Sequence, residues 1–312
     1  MRKAIAYLLT AILIVSLSGT SFAAKEPETI NSFNDLKDVS AGIVYPDPAN
    51  SKKDVMGDVP YQETAFTLDY NGIEIAATLN MPESDDLPPL VLMCHGFNGS
   101  QNHYNQYAEV YASNGIASIR FDFPANGKSG GESTEISLLT EKEVLNFMLD
   151  YAEKLEGIDA DRIYLSGQSM GGMVATLCGA ERQDEICGLI LYYPGFPIPQ
   201  FTREGRVLGV QFDLDDIPEE AEVFGYKVGS AFSSDALGID VYGEVLPSIQ
   251  KDVLIFHGTK DDTIDLMYSE QALEVLPSAK LVIVDGYGHG FPGFVLADIR
   301  PITLDFIESQ GF

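Results

Sequence analysis

The sequence predicts an α/β fold: a mostly parallel sheet of eight strands with helices on both faces. Three observations carry this expectation. Short β-branched apolar runs recur along the chain, helical patterns separate them, and an alternating segment pair around Asn71-Gly72 precedes the series. Parallel strands covered on both faces read as continuous apolar runs, and each crossover between them takes a helix.

Segments 64–70 and 73–79 alternate apolar and polar residues on either side of Asn71-Gly72. That dipeptide suits the two positive φ angles of a tight hairpin turn. The hairpin is expected at one edge of the sheet. Apolar runs follow at 90–94, 116–121, 163–165, 188–192, 253–256 and 281–284. Helical patterns lie at 105–113, 139–155, 170–180, 269–276 and 295–307. The alternation breaks over about 195–249, where aromatics, acids and prolines are scattered. A structureless loop of that length does not suit a compact domain, so this stretch reads as a small cap inserted after the sixth strand. Residues 24–60 are rich in Asp, Pro, Ser and Lys with weak periodicity. They read as an N-terminal extension, ordered in part at best, before a main domain at 61–312.

The first 23 residues have a different character. Met1-Arg2-Lys3 is basic, the run that follows to Gly19 is apolar and uncharged, and Ser21-Phe22-Ala23 offers small residues for cleavage. This is the pattern of a secretory signal peptide, so an exported protein cleaved after Ala23 is expected. No later apolar run is long enough to span a bilayer. Loss of Arg2 and Lys3 takes the formal net charge from −28 to −30. A surface so acidic repels nucleic acid and anionic lipid and disfavours polyanionic substrates. Three cysteines in an exported chain make no disulfide framework. Cys94 reads as a core residue, and Cys178 and Cys187 as free thiols. The histidines show no zinc spacing and no Gly-rich phosphate loop is present, so no metal or organic cofactor is expected.

Chemistry concentrates at Gly167-Gln168-Ser169-Met170-Gly171. An apolar strand precedes this pentapeptide and a helix of small residues follows, the context in which a GxSxG turn exposes a nucleophilic serine. A serine needs a general base, and the chain has only four histidines: His95, His103, His257 and His289. Where such a serine ends a strand of the sheet, the acid and then the base follow it in the chain. That order leaves His289, which sits between glycines in a loop after an apolar strand. The acid belongs after the preceding strand, in His257-Gly258-Thr259-Lys260-Asp261-Asp262. Asp261 is the first candidate and Asp262 its close competitor, while Asp265 suits a helix cap. Oxyanion donors are expected at the backbone N–H of Phe97, in the glycine loop His95-Gly96-Phe97-Asn98-Gly99, and of Met170.

With these motifs the chain resembles an α/β-hydrolase over about 61–312, and more narrowly the bacterial cinnamoyl and feruloyl esterases. The resemblance rests on His95-Gly96-Phe97, Arg120-Phe121-Asp122-Phe123, the Ser169 pentapeptide with Gly172, His257 to Asp262, and Gly288-His289-Gly290-Phe291. It implies a triad of Ser169, Asp261 and His289, with Phe97 and Met170 as oxyanion donors. The sequence departs from these relatives at Gln168, where many carry His, and at Pro124-Ala125-Asn126-Gly127. The expected function is hydrolysis of a small-molecule carboxylic ester through an acyl-enzyme. The alternatives are a serine peptidase of the same fold and, further off, a non-catalytic binding module.

Overall fold

The computed structural model describes residues 27–47 and 56–309. The expected signal peptide lies outside them. In chain order the first strands are β1 (Glu28–Thr29), β2 (Ala41–Val44), β3 (Tyr61–Tyr70), β4 (Ile73–Pro82) and β5 (Leu90–Cys94). They are followed by β6 (Ala117–Phe121), β7 (Ile163–Gln168) and β8 (Gly188–Tyr192). The cap supplies β9 (Arg206–Val207), β10 (Val210–Gln211), β11 (Glu220–Val223) and β12 (Tyr226–Gly229), and the chain returns with β13 (Asp252–Gly258) and β14 (Ala279–Val284). Ten strands form the main sheet in the order β1-β2-β14-β13-β8-β7-β5-β6-β4-β3. Only the β3–β4 and β4–β6 pairs run antiparallel.

Side-chain alternation along the strands divides the core in two. Leu90, Leu92 and Cys94 of β5 face a cluster that includes Leu145 and Met148 of α2 (Leu138–Ala152) and Met173 and Val174 of α3 (Met170–Glu181). Val91 and Met93 face the other way, toward Tyr104 and Ala108 beside and on α1 (Asn105–Ser113) and Ile299 and Phe306 of the C-terminal helix 295–309. Successive residues of a strand point to opposite faces, so each apolar run feeds both layers. Local chemistry sets the element ends. Asn71 and Gly72 both take positive φ, 55° and 87°, as the hairpin turn requires. Ser137 caps α2 by accepting a hydrogen bond from the Thr140 N–H.

The mostly parallel sheet carries two strands beyond the eight expected. Residues 27–47, read from sequence as part of a loosely ordered extension, supply β1 and β2. β2 pairs in parallel with β14, from Leu281↔Ala41 to Val284↔Val44. Without it, β14 would present an unpaired apolar edge to water. The added layer is well packed. Ile30 and Leu36 are fully buried, and the Phe33 ring stands edge-on to Phe306 at 5.3 Å. Gly42 lets this happen, because a Cβ there would meet Ile30 Cγ2 at 2.5 Å. The signal was weak because Ala41-Gly42-Ile43-Val44 is too short for its alternation to stand out.

The cap leaves the sheet after β8 and returns at β13. It contains α4 (Ile198–Arg203), the β9–β10 and β11–β12 hairpins, and α5 (Ser230–Leu237). The three cysteines are free. No helix among the described residues is long and apolar enough to cross a membrane. Leu36→Ala is expected to destabilise the fold by about 2–5 kcal/mol, as other buried leucine truncations do. Urea unfolding checks this: the midpoint should fall with the slope unchanged.

Candidate active site

β7 ends at Gln168 and α3 begins at Met170, so Ser169 is the single residue of the turn. Its backbone sits at φ 52°, ψ −122°, a region that a non-glycine residue enters at a cost. The turn holds because its peptide groups are tied down. The Ser169 N–H donates to Tyr192 O at 3.0 Å, and Ser169 O accepts from the N–H groups of Gly172, Met173 and Gly195. The turn also demands close approach. A Cβ at Gly171 would meet the carbonyl oxygens of Cys94 and His95 at 2.3 Å.

His289 Nε2 lies 2.8 Å from Ser169 Oγ, and His289 Nδ1 lies 2.7 Å from Asp261 Oδ2. A carboxylate can only accept, so Nδ1 carries the proton and Nε2 is left bare to accept from the serine hydroxyl. Asp261 is fixed from several sides. Its Oδ1 accepts from the N–H groups of Thr263 and Ile264 at 3.0 and 2.9 Å. Burial opposes its ionisation, but the hydrogen bonds from His257, His289 and the Ile264 N–H hold it well below the usual carboxylate range. Asp262, its sequence neighbour, is exposed and lines the adjoining cavity instead. Asp265 accepts from the Met267 N–H at the start of α7 (Met267–Val275), a helix cap as the sequence suggests.

The other histidines serve the site from behind. His257 is buried with Nε2 2.8 Å from Ile264 O and 3.3 Å from Asp261 Oδ2. The carbonyl accepts, so Nε2 donates, and Nδ1 is left to accept from the Ser269 hydroxyl at 2.7 Å. Sequence order excluded His257 as a base but did not reveal this backing role. Its only sequence trace is the four-residue spacing to Asp261. Tyr193 was also not anticipated; its buried ring packs against the imidazole of His289 at 4.7 Å.

His95 shapes the glycine loop. Its Nε2 accepts from the Phe123 N–H at 3.0 Å, so Nδ1 carries the proton and donates to Gly96 O at 2.8 Å. The Gly99 N–H donates to the same carbonyl at 3.0 Å. In a trans peptide the C=O and N–H point in opposite directions, so anchoring Gly96 O turns the Phe97 N–H away from the His95 ring. Gly96 packs directly on Ser169; a Cβ there would lie 3.1 Å from Ser169 Cβ. Neither the Phe97 nor the Met170 N–H has a hydrogen-bond acceptor among the described residues. A cavity of about 310 Å³ opens from Ser169 under the cap, walled by Ile198, Phe201, Leu208 and Phe224, with Arg206 and Asp262 as its charged members. The Arg206 guanidinium lies 4.2 Å over the Phe201 ring.

This architecture and this serine turn are those of the α/β-hydrolase fold. The sequence profile of a family described as "Serine aminopeptidase, S33" matches residues 87–211. The structure is similar to that of Est1E from Butyrivibrio proteoclasticus with ferulic acid bound, with a TM-score of 0.73 and 29% identity. That match covers 79% of this chain and 99% of Est1E. Among curated proteins, an "Uncharacterized 31.7 kDa protein in traX-finO intergenic region" of Escherichia coli is 35% identical over 36% of this chain and 40% of its own length. "Putative esterase YitV" of Bacillus subtilis (strain 168) is 29% identical over 59% of this chain and 77% of its own length. The chain spans less than half the length of the first curated relatives it matches.

His95 gives the site a pH signature. Burial pulls its pKa down to about 4, against the opposing effects of its bond to Gly96 O and of nearby Asp122. An unfolded histidine titrates near pH 6.5, about the ordinary value. The unfolded chain therefore binds a proton that the folded state refuses. The stability from this group is complete above about pH 6.5 and is lost toward pH 4, at up to roughly 1.4 kcal/mol per pH unit. Urea unfolding across that window should show a flatter pH dependence for His95→Asn than for the parent.

Proposed function

We propose that the protein is an exported serine hydrolase that cleaves carboxylic esters through an acyl-enzyme. The observation that carries this reading is the hydrogen-bonded line from Ser169 Oγ through His289 to Asp261, at the mouth of the cap cavity. Ser169 Oγ attacks the ester carbonyl carbon while His289 Nε2 takes its proton. Asp261 stabilises the imidazolium and holds its tautomer. The N–H groups of Phe97 and Met170 receive the negative charge that develops on the carbonyl oxygen. His289 then protonates the departing alkoxide, leaving the acyl group on Ser169. A water gives its proton to His289 and attacks the acyl carbon, and the carboxylic acid leaves as the proton returns to Ser169 Oγ.

Export is supported by the basic start, apolar run and small-residue site within residues 1–23. An aromatic acyl group is favoured by the cavity's Phe201, Phe224 and Leu208 walls and by the ferulic acid bound in the similar Est1E. Asp262 supports a second reading, a peptidase that holds a substrate amine, in line with the description of the matching family.

The test uses the mature chain with p-nitrophenyl butyrate, methyl ferulate and an aminoacyl p-nitroanilide. Both esters should turn over, methyl ferulate with the higher kcat/KM, and the anilide should not. Turnover of the anilide alone would establish the peptidase reading. Ser169→Ala should lower kcat by roughly 10⁴-fold or more, the scale seen when a nucleophile of this type is removed. Asp261→Asn should lower kcat by about 10³–10⁴-fold, since an amide no longer enforces the productive tautomer. Asp262→Asn should leave kcat for the esters in the parent range.

A further inference from the structure

A second cavity, of about 240 Å³, lies at the antiparallel end of the sheet. It opens between the β3–β4 turn, the loop after β6 and the first turns of α2. Tyr70, Ile73, Pro124, Ile136 and Val144 are its apolar walls. Glu135 and Glu143 stand exposed at its rim, and Glu141 lies at its base. β5, β6 and β4 intervene between β7, which leads into Ser169, and β3.

Glu141 is the unusual group here. It is only 2% exposed, yet its Oε2 has no hydrogen-bond partner. The other two buried acids are fully engaged. Asp122 accepts from the Gln101 N–H, the Gln101 side chain and the Lys128 N–H, and Asp261 is held as described above. Helix capping does not account for Glu141, because the Thr140 N–H already donates to the Ser137 hydroxyl and the Glu141 N–H to Ser137 O. Among the described residues no lysine, arginine or histidine lines the cavity. An unsatisfied buried carboxyl costs stability, and a cation brought to it in an apolar pocket would recover that cost. Burial also pushes the carboxyl well above its ordinary pKa.

We propose that this cavity is a second ligand site, which takes a small primary amine with a ring-sized apolar body. The ammonium pairs with Glu141, the body rests against Ile73, Ile136 and Val144, and the rim carboxylates attract the cation. The charge on one side and the apolar walls on the other exclude anions and favour an amine over a neutral molecule of the same shape. The site does not depend on any chemistry at Ser169.

The experiment is calorimetric titration of the mature chain with benzylamine, and with benzyl alcohol as the uncharged counterpart. Benzylamine should bind with a Kd below about 1 mM, and benzyl alcohol at least tenfold more weakly, a difference of about 1.4 kcal/mol. Glu141→Gln keeps the shape and removes the charge, and should weaken benzylamine at least tenfold. Asp262→Asn should leave its binding unchanged. Equal binding of amine and alcohol, absence of amine binding at 10-fold the expected Kd, or full retention in Glu141→Gln would each overturn the proposal. So would loss in Asp262→Asn, which would place the amine beside Ser169. If Glu141→Gln fails to fold, the amine–alcohol comparison and Asp262→Asn still decide it.

Discussion

The backbone of Ser169, held at positive φ between β7 and α3, is the constraint on which the rest of the site depends. A non-glycine residue in such a conformation costs on the order of 1–3 kcal/mol and persists only where its surroundings over-determine it. Here they do. The Ser169 N–H is committed to β8 through Tyr192 O, and its carbonyl is shared by three N–H donors. The β5–β7 pairing sets Cys94 opposite Gly167, which brings the His95-Gly96 peptide against the turn. Glycine at 171 is what permits that closeness, and with it the meeting of Ser169 and the His95–Gly99 loop.

Three neutral-to-acidic contacts then give the site its direction. Each histidine near the serine has one nitrogen fixed by a group that can only donate or only accept. The Phe123 N–H fixes His95, the Ile264 carbonyl fixes His257, and the Asp261 carboxylate fixes His289. Tautomers are thereby set by fixed partners, and the bare nitrogen that faces Ser169 Oγ belongs to His289. Two of these histidines, His95 and His257, are buried; one holds the Gly96 carbonyl and the other lies against Asp261.

The sheet also explains the contrast between these two cavities. At the parallel centre, strand ends and cap converge over Ser169, and the cap brings both aromatic walls and the ring-stacked Arg206. At the antiparallel end the start of α2 is tied to the cap, where the Ser137 hydroxyl meets Asp235 of α5, and α2 leans over a hairpin turn with a carboxyl buried beneath it. The first cavity adjoins the Ser169 hydroxyl, while the second is lined by a buried carboxyl.

The sequence by itself determined the features that are local in the chain. The Asn71-Gly72 turn, the apolar runs of β5 to β8, the glycine-flanked Ser169 and the order of serine, acid and histidine are all written in short windows. Periodicity and turn chemistry act over a few residues, so a single sequence carries them. Tertiary structure decided whatever depends on residues far apart. Ala41–Val44 becomes a strand only because β14 offers an open edge. Asp261 rather than Asp262 meets His289 because the Thr263 and Ile264 N–H groups turn that carboxylate inward. Glu141 reads as one more acid on a helix, and it becomes a buried, unpartnered group only when α2 packs against the loop after β6 and the hairpin turn. A side chain's burial and partners are properties of the packed whole, and no window of the chain contains them.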